Sequence, residues 1–181
     1  MRLAILALAF IALAGDAAPS AANATYSTAT LAAERPAAVT SAVVDAPLAA
    51  PRLATWPVIG GTITSPFGAR VGGFHNGIDI AAPMYTPIHA AQAGVVQLVG
   101  QPYMSYGDTA DIVMIAHASN FSTLYAHVDL ATHPPVVKAG QRVAAGDVIA
   151  YVGVTGWTTG PHVHFMTIYN QRQVDPLRFL P

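Results

Sequence analysis

With 181 residues, the chain is long enough for one domain with a real core plus extra sequence at one end. Only 9% of residues are charged, the formal net charge is −1 and no basic run exists, which argues against an electrostatic hold on nucleic acid. No cysteine is present, so disulfides, thiolate metal sites, thiol nucleophiles and a lipid-modified N-terminal cysteine are excluded. Any bound metal must be held by His, Asp or Glu, which makes the seven histidines the informative residues.

Residues 1–24 read as an export signal. Arg2 precedes a continuous apolar run from Leu3 to Ala14, and small residues follow, with Ala22-Asn23-Ala24 and Gly15-Asp16-Ala17 as alternative cleavage sites. A membrane anchor is the competing reading, but the run is shorter than the ~20 residues a span requires. Residues 25–55 are rich in Ala, Thr, Ser and Pro and poor in large apolar side chains. Such a segment buries too little surface to offset its ordering entropy and reads as a flexible linker, with a plug over the active site as the alternative.

Composition changes at Trp56-Pro57, and residues 56–181 read as the folded domain. Short β-branched runs recur between Gly and Pro punctuation. They are Ile78-Asp79-Ile80, Gly94 to Val99, Ile112 to Ile115, Phe121 to Val128, Val143, Val148 to Val152 and Val163 to Tyr169. No sustained 3.6-residue apolar period appears, so the expectation is an all-β domain. Gly140 and Gly146, six apart and each leading into an apolar step, predict a tight β-hairpin arch of the kind found in carrier domains.

Chemistry concentrates in two stretches, His75-Asn76-Gly77-Ile78-Asp79 and Pro161-His162-Val163-His164-Phe165, with Tyr125-Ala126-His127 between them. Four imidazoles and a carboxylate are a donor set suited to a hydrolytic metal ion with one position left for water. Glycines and the Asn76-Gly77 pair speak against a helix at 72–79, so a turn must fold His75 and Asp79 toward one point. His162 and His164 share one face of a strand, roughly 6.5–7 Å apart. That spacing favours one ligand and one neighbouring proton-handling group.

These residues, with Ser65-Pro66-Phe67-Gly68-Ala69-Arg70, Gly94-Val95-Val96, Gly153-Val154-Thr155-Gly156 and Thr159-Gly160, resemble the M23 metallopeptidases of the lysostaphin and LytM type. The similarity runs from about Trp56 to Pro176. It implies a small antiparallel β-sheet domain, of barrel-sandwich type, with one zinc ion held by His75, Asp79 and His164 and with His127 and His162 as unliganded catalytic histidines. It further implies hydrolysis of peptide bonds in bacterial peptidoglycan, with the cleaved bond left open between a D-Ala–diaminopimelate cross-link and a glycine bridge. The expected setting is exported, periplasmic or at the cell wall, as a monomer without a stable membrane span or a nucleic-acid partner. Three positions depart from the pattern: Met84-Tyr85 where glycine is frequent, Met166 where glutamate often follows His-Phe, and Ala118 after His117 where glycine is usual. Bulk at Met84 and Tyr85 is expected to reshape the groove rim.

Bland alternatives accompany each residue. His75, Asp79 and His164 could be ordinary turn and strand residues. His162 could be a third metal ligand or a prop, and His127 a packed strand histidine. Structural or surface roles are expected for His117, His89 and His133, and Arg70 is expected to hold its local turn rather than a substrate carboxylate. Tyr85, Tyr103, Tyr106 and Trp157 are candidates for lining a peptide groove, each with packing as the alternative. A catalytically silent relative that binds peptidoglycan or regulates another hydrolase, and a metal-free carrier-type module, are the competing functions.

Overall fold

The computed structural model describes residues 51–100, 108–118, 120–133 and 136–181. All lie in the second of two compact units, Asp45–Pro181. The expected signal segment, nearly all of the expected linker, Tyr103 and Tyr106 lie outside the described residues. Twelve strands follow one another: β1 (Thr62–Ser65), β2 (Gly68–Arg70), β3 (Gly73–His75), β4 (Ile78–Ala81), β5 (Pro87–His89), β6 (Gly94–Gly100), β7 (Ile112–Ala116), β8 (Phe121–Ala126), β9 (Arg142–Val143), β10 (Val148–Tyr151), β11 (His162–Tyr169) and β12 (Arg172–Val174). A single 3-10 turn, Pro176–Arg178, follows β12, its first turn capped by the Asp175 carboxylate accepting from Leu177 N at 3.0 Å.

The main sheet runs β1-β4-β11-β8-β7-β6-β9, with β12 beside β11, and every pairing is antiparallel. β10 pairs with β5, and β2 with β3, in two small sheets. β9 and β10 therefore join different sheets, which corrects the expected hairpin at Gly140 and Gly146. Both glycines do occupy the left-handed region, at φ 84° and 88°. The chain turns sharply there, but it crosses between layers instead of folding back on itself.

β11 is the longest strand, and it is buried from Val163 to Thr167 because both its faces are covered. On one face Val163 and Phe165 join Ile78, Ile80, Val113, Ile115 and Tyr125 in the main core. On the other, Met166 packs with Ala110, Ile112, Leu124 and Ala126. Met166 thus belongs to a small apolar cluster, which absorbs that departure from the family pattern as packing. The folded unit also starts earlier than composition suggests. Leu53 is buried in the main core and its N–H donates to Phe179 O at 2.9 Å. A single leucine in an Ala-rich stretch carries too little hydrophobic signal to mark that contact.

A chain of polar groups runs from half-buried His117 to buried Thr123 and Tyr125. His117 Nδ1 lies 2.8 Å from Ala93 O, its Nε2 lies 2.9 Å from Thr123 Oγ1, and Thr123 Oγ1 lies 3.1 Å from the Tyr125 hydroxyl, which accepts from Ala91 N at 2.8 Å. A carbonyl only accepts, so His117 Nδ1 carries the proton and Nε2 receives the Thr123 hydroxyl proton. The Tyr125 O–H then points to Thr123, and every donor has an acceptor. Burial pushes the Tyr125 hydroxyl up to about 12, against the smaller opposite pull of its hydrogen bonds. His117 is structural, as expected. Tyr125→Phe leaves Ala91 N and Thr123 short of partners and is expected to cost about 1–3 kcal/mol in urea unfolding with metal content unchanged; an unaltered midpoint would contradict the network.

Candidate metal and proton-transfer site

The sheet register builds the centre of the site. Asp79 on β4 lies directly opposite His164 on β11. Ile78 and Ile80 flank Asp79 and are fully buried, as are Val163 and Phe165 beside His164. Because side chains alternate, those four residues commit Asp79 and His164 to the other face. His75 ends β3, and Asn76-Gly77 carries the chain into β4, the turn expected from the sequence. Gly77 lies against β11: an added Cβ would sit 2.5 Å from Phe165 O and 2.9 Å from His164 Nε2.

Three side-chain atoms converge. His75 Nε2 lies 3.1 Å from Asp79 Oδ1 and 3.0 Å from His164 Nδ1, and His164 Nδ1 lies 2.9 Å from Asp79 Oδ1. Bonds of about 2.1 Å at tetrahedral angles would separate ligand atoms by about 3.4 Å. The triangle therefore fits a small divalent ion after a slight expansion, and the three residues form a metal-capable cluster. His75 Nδ1 faces the Pro66 carbonyl at 2.8 Å, so it is the protonated nitrogen and Nε2 presents its lone pair to the cluster. Burial opposes ionisation of Asp79, but its close contacts with the His164 and His75 rings outweigh it and hold the carboxyl well below its ordinary range.

The other two expected histidines stand beside this triangle. His162 Nδ1 faces Gly160 O at 2.8 Å, and its Nε2 lies 3.6 Å from Asp79 Oδ1. His127 follows β8 at φ 63°, and its Nδ1 faces Thr155 O at 2.7 Å. Both rings therefore carry the proton on Nδ1 and leave Nε2 as the acceptor. Their centroids are 4.6 Å apart. Burial lowers the His127 pKa, partly offset by the Thr155 carbonyl. Burial likewise lowers His164, against the raising influence of Asp79.

A cavity of about 960 Å³ opens over all five residues. One wall is the β2–β3 hairpin, with Arg70 and Phe74, and the other is the 156–159 loop with Trp157. Phe74 is 61% exposed and Trp157 71% exposed, so two aromatic faces flank the opening. Met84 and Tyr85 are not among the lining residues, which corrects the expectation that they shape the rim. Tyr85 instead stacks on His133 at 4.3 Å, and His133 pairs with Asp129 at 3.0 Å. His89 is half-buried and ties β5 to the Gly146 carbonyl at 2.8 Å, a firmer role than surface. No motif marks Asp108, whose carboxylate accepts from Trp157 N at 2.9 Å and fixes the loop wall. The orienting groups Pro66 O, Thr155 O and Gly160 O are backbone carbonyls, which no residue type announces.

The family model for peptidase family M23 matches residues 73–176, which contain all five site residues. The chain belongs to peptidase family M23. An uncharacterised lipoprotein of Escherichia coli, YgeR, is 41% identical over 70% of this chain and 46% of the relative. The DD-carboxypeptidase/endopeptidase Mpg of Neisseria meningitidis is 38% identical over 67% of this chain and 27% of the relative. This M23 chain therefore spans less than half the length of either. Among solved structures, a zinc-containing peptidase from Vibrio cholerae aligns with a TM-score of 0.59 and 35% identity, covering 70% of this chain and 40% of that one.

Two outcomes follow for the M23 site. Gly77→Ala is expected to weaken metal binding at least about tenfold in a chelator competition, because the methyl displaces the His164 ring; unchanged affinity would contradict the packing. Chelator-treated protein should be most stable above pH 6.5, the ordinary histidine value, and lose stability as pH falls. His117, His127 and His164 all have lowered pKa values, so the unfolded state binds more protons in that window. Stability that rises on acidification in urea unfolding would contradict the sign.

Proposed function

We propose that this chain is an exported zinc endopeptidase that hydrolyses peptide bonds in bacterial peptidoglycan. The observation that carries the reading is the convergence of two imidazoles and one carboxylate within hydrogen-bond distance of one another on the floor of an open cavity. His75 Nε2, Asp79 Oδ1 and His164 Nδ1 would hold the ion. Three N/O ligands with room for a fourth match catalytic zinc. When bound, such an ion supplies Lewis acidity for activating water toward an amide.

The protein residues do the rest. His127 and His162 each present an Nε2 acceptor to the cavity, with the opposite nitrogen pinned by a backbone carbonyl. Either Nε2 can take a proton from water and, once protonated, return it to the leaving amine; the other ring can hydrogen-bond the carbonyl oxygen only in its cationic form, with Nε2 protonated as well. Their similar settings leave the division of labour open to either. Phe74 and Trp157 provide surfaces for an extended peptide, while the fixed hairpin and loop hold it in line.

Peptidoglycan as substrate is supported by M23 membership and by the naming of Mpg as a DD-carboxypeptidase/endopeptidase. Zinc is supported by the donor set and by the zinc-containing Vibrio structure. Such a substrate places the protein in the envelope, periplasmic or at the cell wall. The apolar N-terminal run fits export, and residues 1–24, 25–55 and 56–181 remain the proposed signal, linker and enzyme segments, with packing contacts reaching back to Leu53. Among the described residues no helix is long and apolar enough to cross a membrane.

His164→Ala is expected to lose zinc and hydrolysis together. His162→Ala is expected to keep about one zinc per chain and lose at least about a hundredfold in rate. Elemental analysis beside release of peptides from purified sacculi checks both. Full turnover in zinc-loaded His162→Ala would overturn its role, and zinc-replete wild type that releases nothing would favour a silent, peptidoglycan-binding relative.

A further inference from the structure

One wall of the cavity carries a cation that the hydrolytic chemistry does not use. Arg70 ends β2, and its exposed side chain lines the cavity beside the site residues. It is the one Lys or Arg among the lining residues. No carboxylate among the described residues lies within ion-pair distance of it. Its side-chain contact is the Ser65 hydroxyl at 3.4 Å, long for a charged donor. That hydroxyl lies 3.2 Å from His75 Nδ1, which keeps the guanidinium close to the candidate ligands without joining them.

The acids facing the same space are already committed. Asp79 Oδ1 belongs to the triangle. Asp108 Oδ1 accepts from Trp157 N at 2.9 Å and Ala110 N at 3.1 Å, so it holds the far wall. Arg70 is the fixed charge left for a solute. A planar guanidinium matches a carboxylate through two parallel N–H donors. In a peptide positioned for hydrolysis over the triangle, the nearest such group is a free carboxylate on the carbon that bears the scissile nitrogen.

Resting on the peptidase reading above, we propose that Arg70 determines specificity by binding the free α-carboxylate of the residue that leaves as the amine. Bonds whose leaving residue ends there, as at the D-centre of a diaminopimelate cross-link, are then favoured over bonds within a continuing chain. This departs from the sequence expectation that Arg70 serves its local turn. The turn is already made by Gly72 and Gly73, at φ 90° and 148°, and by the β2–β3 pairing.

The test uses two synthetic D-alanyl-diaminopimelate cross-linked peptides that differ in one group, the carboxyl beside the scissile nitrogen, free or as its primary amide. Zinc-loaded wild type should show a kcat/KM on the free acid about ten- to a hundredfold above that on the amide. Arg70→Gln should collapse that ratio to near one, and Arg70→Lys should restore part of it. A ratio that survives in Arg70→Gln overturns the proposal, as does equal loss on both peptides together with zinc, which marks a purely structural role through Ser65 and His75. If wild type cuts neither peptide, release from purified sacculi tests the peptidase reading itself, which fails if nothing is released. Titration calorimetry with the same pair then decides the inference: tighter binding of the acid, abolished in Arg70→Gln, supports it, and equal affinities sink it.

Discussion

The site depends on one register between two strands. Asp79 faces His164 across the β4–β11 pair, and the apolar residues on either side of each lie in the core. A slip of one residue would carry the carboxylate and the imidazole inward and bring Ile78, Ile80, Val163 and Phe165 into the cavity. The hydrophobic cost of that exchange, on the order of 1.5–3 kcal/mol for each large side chain exposed, is what holds the polar pair in place. The fold thus spends core packing to fix a polar geometry on the cavity floor.

Around that pair the orientation problem is solved by backbone. Pro66, Thr155 and Gly160 each offer a carbonyl to the Nδ1 of His75, His127 and His162. Each leaves the same nitrogen, Nε2, for the cavity. His164 is the exception and turns Nδ1 inward. Its ring lies against Gly77, where a side chain would collide, so a glycine on one strand connection sets the position of a histidine on another strand. Strand and loop therefore share the work: strands set where the rings are, loops set which way their protons point.

Much of this was legible in the sequence. The alternation of Ile78-Asp79-Ile80 and of His162-Val163-His164-Phe165 announces strands with polar groups on one face, and the Asn76-Gly77 pair announces the turn that returns His75 to Asp79. The shorter strands were not legible, because pieces such as β2, β3 and β12 have three residues each and too few apolar positions to show a period. The turn at Gly140 and Gly146 was read as a hairpin because turn chemistry fixes local direction but not which neighbour a strand will pair with. Asp108 and the three carbonyls were invisible for another reason: their roles come from tertiary placement, and an aspartate near a loop or a peptide oxygen carries no motif.

The central claim is that His75 Nε2, Asp79 Oδ1 and His164 Nδ1 close on a single ion while His127 and His162 stand clear of it. A crystal structure of zinc-loaded protein with an anomalous map at the zinc edge tests this most directly. The account predicts one peak per chain, about 2.0–2.2 Å from those three atoms and beyond bonding distance of the other two imidazoles. A peak bonded to His127 or His162, or no peak at the triangle in zinc-replete crystals, would contradict it.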